Sequence, residues 1–563
     1  MAHSLSKTRR HPVAAYWSPW GSIGTGSVNL TGSSHLFVVE YDDGTAFRIV
    51  ADCGIFQGPG SDKANRGNFP LEPSSIHLSI LSHGHADHCG RLPLFVKYGF
   101  SGDVWTPEKT AKVAKASLED AAKLALTQFE AEQAGYLKKI EGIKEARRIV
   151  AAAKSKGIKR KPGGDRITRS DEPARPGTQE LRDAERLLAE YQEVDESTGD
   201  TIIYAPERPT EPLFLAEDVA KTVSKFRPQS MNSWLPVPGA PGLSVMFFNA
   251  AHVLGSSSVA FRVHGIGTGK RQSKTVVFSG DLGPVREFAP HGTAEIPKDV
   301  HPDLIAVECT YGGRRHPEWS QTVQKFEEVV AEASRKREIL ILPAFALDRA
   351  QILLHLLVTL KQKGAFKGEI YLDSPLATAY TKMYQKDVPA YAATLRPGSK
   401  TFRIIEKDGR EGFLNKPGFK IVVTSSGMGQ GGPVGEYFRR YLENSRAEFI
   451  FAGYMAEGTP GRALVSGEKL VTIPGVGEFE VRARVSQFYG MSSHADEAMI
   501  REWCGVGNPA GTGKPKSKFG NVRIALIHGE SKTSIPAMKH AFGRRLYPED
   551  RILTPQVGDV VHL

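Results

Sequence analysis

Six consecutive residues, His83-Gly84-His85-Ala86-Asp87-His88, carry four side chains suited to a borderline metal ion, and they follow directly on the apolar stretch Ile76 to Leu81. That stretch reads as a strand, so the cluster lies on a loop at a strand end, where a rigid sheet can aim its side chains. A lone histidine is more often structural. Four such groups on a loop spaced by Gly and Ala would be costly to bury with no metal to satisfy them. The spacing lets two alternate side chains reach one ion while the next two reach a second.

Around this loop the chain divides by pattern. His35 to Glu40 and Phe47 to Asp52 alternate as strands about the turn Asp42-Asp43-Gly44, which predicts a hairpin. From Thr106-Pro107-Glu108 the Ala/Lys/Glu/Leu-rich sequence is helical to about Lys154. A basic loop, Lys154 to Gly164, follows, and reads better as a solvated tip than as a dedicated contact. Helix resumes from Glu180 to Gln192, and strands return at Leu243 to Asn249 and Thr275 to Asp281. Beyond Val323, strands at Ile339 to Pro343, Glu369 to Leu372, Lys420 to Thr424 and Phe449 to Gly453 alternate with helices at Arg349 to Lys363, Leu376 to Gln385 and Val434 to Glu443. Such alternation predicts a parallel sheet covered by helices. No internal repeat, coiled-coil heptad or extended low-complexity linker is evident.

A chain of 563 residues, 40% hydrophobic and 24% charged, can bury a large core spread over two to four domains. No apolar run approaches the ~18 to 20 residues of a membrane span, and the basic start at Lys7, Arg9 and Arg10 runs into Pro12 rather than a secretory apolar segment. A cytoplasmic protein is expected. Cys53, Cys89, Cys309 and Cys504 are too scattered for a zinc knuckle or a disulfide framework and read as small buried hydrophobes. The net charge of +11 suits a polyanionic partner, although charge alone decides little.

At His83 to His88 the chain resembles the metallo-β-lactamase superfamily, and further segments match that pattern. Asp52 in Val50-Ala51-Asp52-Cys53-Gly54, His252 in Asn249-Ala250-Ala251-His252, and Asp281 in Phe278-Ser279-Gly280-Asp281 stand at the family's first, third and fourth motifs. Downstream the likeness narrows to the β-CASP branch. Glu308 resembles its acidic motif A, His494 in Ser492-Ser493-His494-Ala495-Asp496 its motif B, and His528 in Ile527-His528-Gly529-Glu530 its motif C. Pro343-Ala344-Phe345-Ala346, Asp373-Ser374-Pro375 and Gly453-Tyr454 add support.

The resemblance implies an α/β fold: an αββα metallo-β-lactamase sandwich from about residues 12–310 and 485–563, with an inserted α/β β-CASP cap over 311–484 and a helical insertion near 126–204. It implies two zinc ions, Zn2+, for which Mn2+ could substitute. His83, His85 and His252 would hold one and Asp87, His88 and His528 the other, with Asp281 bridging. His494 would be the general acid, while Glu308 and Asp52 would orient ligands. Histidine at motif C is similar to the RNA-cutting members, so the implied activity is hydrolysis of phosphodiester bonds in single-stranded RNA, as an endonuclease or a 5′ exonuclease. A DNA nuclease, a catalytically silent RNA-binding subunit and a small-ester hydrolase are the rivals. A homodimer or partners in a processing complex stay open.

Other signals are weaker. Gly427-x-Gly429-x-x-Gly432 has the form of a dinucleotide fingerprint, with Glu457 as ribose acceptor. With Ser425 and Ser426 the same loop could cradle RNA phosphates, or Gly427 and Gly429 could simply permit a tight turn. His291, His301, His316, His355 and His540 fall outside any ligand pattern and read as surface or core residues. Tyr16, Trp17 and Trp20 could stack bases, but a strand packing aromatics into a core is the more usual role.

Overall fold

The computed structural model describes residues 10–21, 32–57, 61–156, 179–194, 201–203, 207–266, 272–284, 291–398, 400–506, 518–543 and 547–563. It divides into two compact units, Met1–Asp120 with Glu217–Leu563, and Ala121–Ala216.

In the first unit, two seven-stranded sheets share one core. One sheet runs Val561–His562, Pro12–Pro19, His35–Tyr41, Ala46–Ala51, Leu78–Ile80, Asp103–Pro107, Phe226–Gln229. The other runs Ile552–Leu553, Arg523–Ile527, Leu304–Glu308, Ser273–Phe278, Ser257–His264, Leu243–Asn249, Leu235–Pro236. Side-chain alternation explains the layering. Leu243, Val245 and Phe247 enter the shared core, while Met246 and Phe248 point to the opposite face. Leu304 and Ala306 likewise face inward, and Ile305 and Val307 outward against Ile500, Met538 and Phe542 of covering helices. With both faces buried, these strands are largely apolar rather than alternating with polar residues. Across the shared core Phe37 stacks on Phe261 with ring centroids 4.8 Å apart. Burying each such ring contributes roughly 1.5 to 3 kcal/mol. Trp17 belongs to this core, as expected of a strand that packs its aromatics inward.

A third sheet, six-stranded, is parallel in every pairing: Arg403–Ile404, Glu369–Asp373, Lys420–Thr424, Ile339–Pro343, Ala447–Ala452, Arg484–Phe488. Helices Trp319–Lys336, Arg349–Gln362 and Pro375–Asp387 share one apolar cluster with it, and Val434–Tyr441 shares a second. The expected cap boundary near 484 falls on the first residue of the edge strand, so the sheet itself runs to Phe488.

The second unit holds helix Gln179–Ala189, whose Ala184 and Leu188 pack on Ile143 and Ala146 of helix Glu108–Lys156. Strands Gln192–Val194 and Thr201–Ile203 pair antiparallel in it. Most of the basic loop expected at Lys154 to Gly164 lies outside the described residues, as do residues 22–31 of the N-terminal strand region. Among the described residues no helix is long and apolar enough to cross a membrane.

Parallel pairing of Ala46–Ala51 with Leu78–Ile80, and of Ser273–Phe278, Leu304–Glu308 and Arg523–Ile527, brings their carboxyl ends together. Within three residues after those ends come Asp52, Ser82-His83, Asp281 and His528, with Glu308 the last residue of its own strand. Strand ends therefore collect the candidate side chains, the usual place for a site in an open α/β arrangement.

Candidate functional site

Seven side chains from four separate segments converge in two groups: His83, His85, His252 and Asp281, and Asp87, His88 and His528. Within each group one potential ligand atom per residue lies within 4.8 Å of all the others. In the first group Nε2 of His83 and Nε2 of His252 lie 3.1 and 3.2 Å from Nδ1 of His85, and each is 3.5 Å from Oδ2 of Asp281. In the second, Nε2 of His88 and Nε2 of His528 are 3.3 Å apart, and Nε2 of His528 is 3.5 Å from Asp87. Oδ1 of Asp281 is 3.2 Å from His88 and 3.4 Å from His528, so this one carboxylate touches both groups.

The hydrogen bonds behind these rings settle where their protons belong. Ser82 Oγ donates to Asp52 at 2.7 Å and so can only accept from Nδ1–H of His83 at 3.1 Å. Nδ1–H of His252 donates to the Ser493 carbonyl at 2.7 Å, and Nδ1–H of His88 donates to Asp52 Oδ2 at 2.7 Å. Thr310 Oγ1 donates to the His528 carbonyl at 3.3 Å and accepts from its Nδ1 at 3.2 Å. In their neutral form these four rings therefore present bare Nε2 lone pairs to the centre. Oδ1 of Asp281, buried and without a hydrogen-bond donor, faces the bare Nε2 of His88. Lone pairs aimed at one another and at a carboxylate repel unless a cation lies among them, so this donor set fits metal ions.

Without metal the rings of the two groups titrate in opposite directions. Burial holds His83 and His252 well below the ordinary imidazole range. Burial also lowers His88 and His528, but Asp281 and Asp52 together outweigh it at His88, and Asp281 and Asp87 together at His528, so both are raised, His528 to about 9. Burial would raise Asp281, yet the charges of His528 and His88 hold it well below the usual carboxylate range. Cations in the cluster would push every one of these imidazoles toward the neutral form.

His494 stands beside the cluster, its ring centroid 4.5 Å from that of His252, and its Nδ1 is 3.2 Å from Glu308 Oε1. Burial lowers its pKa, and the Glu308 carboxylate more than restores it. Glu308, fully buried, also accepts from the backbone N–H of Leu282 at 2.8 Å, which ties it to the loop carrying Asp281. Asp52 accepts from Ser82 N at 2.8 Å besides Ser82 Oγ and His88. Asp52, Ala251 and His528 adopt positive φ of 58°, 58° and 49°, a region that side-chain-bearing residues seldom enter.

Ser425, Ser426, Gly427 and Gly429 form a separate loop with internal partners. Ser426 Oγ donates to the Gln430 carbonyl at 2.6 Å and accepts from its N–H at 3.0 Å. Gly427 is buried, and a Cβ there would lie 2.7 Å from the Phe345 nitrogen, so close packing already accounts for this glycine. Glu457 is paired with Arg462 at 3.0 Å.

Two histidines set aside on sequence belong to this neighbourhood. Nε2 of His316 lies 2.8 Å from the His494 carbonyl, and Nε2 of His291 lies 2.8 Å from Asp348 Oδ1. Asp348, absent from every sequence pattern, accepts from Ser493 Oγ at 2.8 Å. No local spacing marks these residues, because their partners are remote in the chain.

Comparison with known proteins adds an independent line. The Beta-Casp domain family matches residues 350–464. A ribonuclease from Thermus thermophilus is 26% identical over 521 residues, 89% of this chain and 91% of the relative. A transcription termination factor from Methanococcus maripaludis is 23% identical over 88% of this chain, and Integrator complex subunit 11 from Danio rerio 25% identical over 86%. The chain spans 65% of the length of each of these last two.

Proposed function

We propose that this chain, a β-CASP member of the metallo-β-lactamase superfamily and a nuclease by class, hydrolyses phosphodiester bonds in single-stranded RNA with two zinc ions. The convergence of seven ligand-type side chains in two groups, with Asp281 touching both, carries the proposal, and the long match to a ribonuclease supports RNA as substrate. His83, His85 and His252 would hold one ion, and Asp87, His88 and His528 the other, with Asp281 between. The ions would supply Lewis acidity, making hydroxide available near neutral pH and drawing charge from the phosphate.

The chain's own residues do the rest. Asp52 and Ser82 fix the His88 and His83 tautomers so that Nε2 points inward. Glu308 holds the Nδ1 proton of His494, which leaves Nε2 of that ring to deliver a proton to the leaving oxygen. His494 is partly exposed, 21% against 1% for the neighbouring His252, as a group that meets substrate should be. The complete ligand set speaks against a silent subunit. All four cysteines are buried free thiols, in accord with the cytoplasmic setting we propose.

The test is a denaturing-gel time course on a 3′-labelled single-stranded RNA, with fully paired RNA and single-stranded DNA in parallel and His83→Ala as control. Cutting of the unpaired RNA by the native protein alone is expected. Internal fragments would mean an endonuclease, and shortening from the 5′ side an exonuclease. Activity on DNA but not RNA, or undiminished activity of His83→Ala, would overturn the proposal.

A further inference from the structure

Asp348 occupies the turn between strand Ile339–Pro343 and helix Arg349–Gln362 with φ 68° and ψ −57°. The N–H of Arg349 reaches back to the Leu347 carbonyl at 2.9 Å, which makes a γ-turn centred on Asp348. Glycine would adopt this backbone without strain, but the chain places a carboxylate here. Every acceptor of that buried carboxylate is engaged. Oδ2 accepts from Ser493 Oγ at 2.8 Å, and Oδ1 accepts from Nε2 of His291 at 2.8 Å and from the Tyr384 hydroxyl at 3.0 Å.

Ser493 is gripped from a second side by Arg349, whose Nη2 donates to Ser493 Oγ at 3.3 Å while Nη1 donates to the Ala452 carbonyl. The guanidinium passes where a side chain on Gly453 would sit, since a Cβ there would lie 2.3 Å from Nη1. The carbonyl of the same Ser493 accepts the Nδ1 proton of His252 at 2.7 Å, and His494 is the next residue. The network also reaches the His252 loop directly. Tyr384 Oη accepts from Leu254 N–H at 3.2 Å, and Asn249, whose Oδ1 accepts from Ala251 N–H at 2.9 Å, donates to the His291 carbonyl at 2.6 Å.

We propose that Asp348, which touches no metal-binding group itself, is a positioning residue. Through Ser493 it fixes the acceptor that orients His252 and the loop that presents His494, so that the seating of the third sheet sets the alignment of a metal-binding nitrogen and of the proton donor together. The proposal rests on the metal-centre reading of the cluster but not on the identity of the substrate. Buried hydrogen-bond partners behind ligands commonly govern metal retention, with effects of about 10- to 100-fold.

The test uses the full chain as Asp348→Asn, as Ser493→Ala and as both. An amide cannot accept from Ser493 on one side and from His291 and Tyr384 on the other, whereas Ser493→Ala removes one hydroxyl and keeps the carbonyl. Zinc retention is measured against a competing chelator without substrate, alongside kcat and KM on single-stranded RNA. Each variant should release one of its two zinc ions about tenfold faster. kcat should drop at least tenfold while KM stays within twofold, and the double variant should be no worse than the more impaired single one. Native zinc retention and kcat in both variants, equal weakening of both zinc ions, or effects that add as independent would overturn the proposal. A native protein that holds two zinc ions but cuts no RNA would sink the substrate assignment and leave the zinc arm decisive. Should Asp348→Asn fail to fold, Ser493→Ala carries the test alone.

Discussion

Oδ2 of Asp52 lies 2.7 Å from Nδ1 of His88, both side chains being buried to within 1% of completely. The same carboxylate takes two hydrogen bonds from Ser82, the residue before His83. One side chain, itself in the left-handed backbone region, thus orients rings assigned to both proposed metal positions.

Asp52→Asn should accordingly weaken metal binding rather than abolish folding. An amide offers one acceptor where three donors now compete, so the Nδ1 proton of His88 loses its fixed partner. A fall of about 10- to 100-fold in zinc affinity is expected, read by chelator competition. Unchanged affinity would show that the carboxylate is only a fold element.

His494→Gln separates proton donation from metal binding. Glutamine can still hydrogen-bond to Glu308 but has no proton to give near neutral pH. Loss of a general acid lowers rates by roughly 10^2 to 10^4. The expected outcome is a kcat reduced on that scale with two zinc ions retained; loss of zinc would instead make His494 a ligand.

The pH dependence of stability offers a check on Asp348. Burial would raise its carboxyl, but hydrogen bonding and charge from His291, then the Ser493 hydrogen bond, hold it well below the usual range. In the unfolded chain an aspartate protonates near pH ~4. Below that value the unfolded state binds the extra proton first, so this contribution is full above about pH 5 and drains away as pH falls toward the folded value. The gap in urea midpoint between the native protein and Asp348→Asn should therefore be wider at pH 7 than at pH 3. An equal gap at both would remove the ionised carboxylate from the account.

Much of this was visible in the sequence because local pattern carried it. Leu243–Asn249 and Lys420–Thr424 form strands with the expected bounds, since continuous apolar runs closed by polar or glycine residues leave few alternatives. His83 to His88 announced a site through spacing alone. His252, Asp281 and His528 needed the resemblance, as each is a single polar residue after a strand. Asp348, His291 and His316 were illegible for another reason. Asp348 lies 145 residues from the serine it holds, and a carboxylate at a positive-φ turn has no sequence mark when glycine would be the ordinary choice. The grip of Arg349 on Ala452 depends likewise on Gly453 being bare, a contact that exists only once helix and sheet have packed.

Gly54→Ala tests how tightly the backbone itself sets the ligands. The segment after Asp52 lies against the cluster loop: Cys53 N–H donates to the His88 carbonyl at 2.8 Å, and Gly54 N–H to the Ser33 carbonyl at 2.9 Å. A Cβ on Gly54 would stand 1.7 Å from the carbonyl oxygen of Asp87 and 2.8 Å from the nitrogen of His88. Neither neighbour is a flexible side-chain end, so the added methyl must displace the backbone that carries two ligands of the same proposed ion. Overpacking of this kind costs about 1 to 3 kcal/mol of stability, and misplacement by ~1 Å at a reacting centre costs roughly 10^2-fold in rate. Gly412→Ala is the matched control, because nothing lies within 4 Å of its Cβ position and it sits in helix Arg410–Asn415. The control should keep full activity and gain up to about 1 kcal/mol from the better helix former. Gly54→Ala should lose both zinc retention and activity. If the two variants behave alike, the contact between the Asp52 segment and the cluster loop yields at little cost, and the ligands are held by their side-chain hydrogen bonds alone.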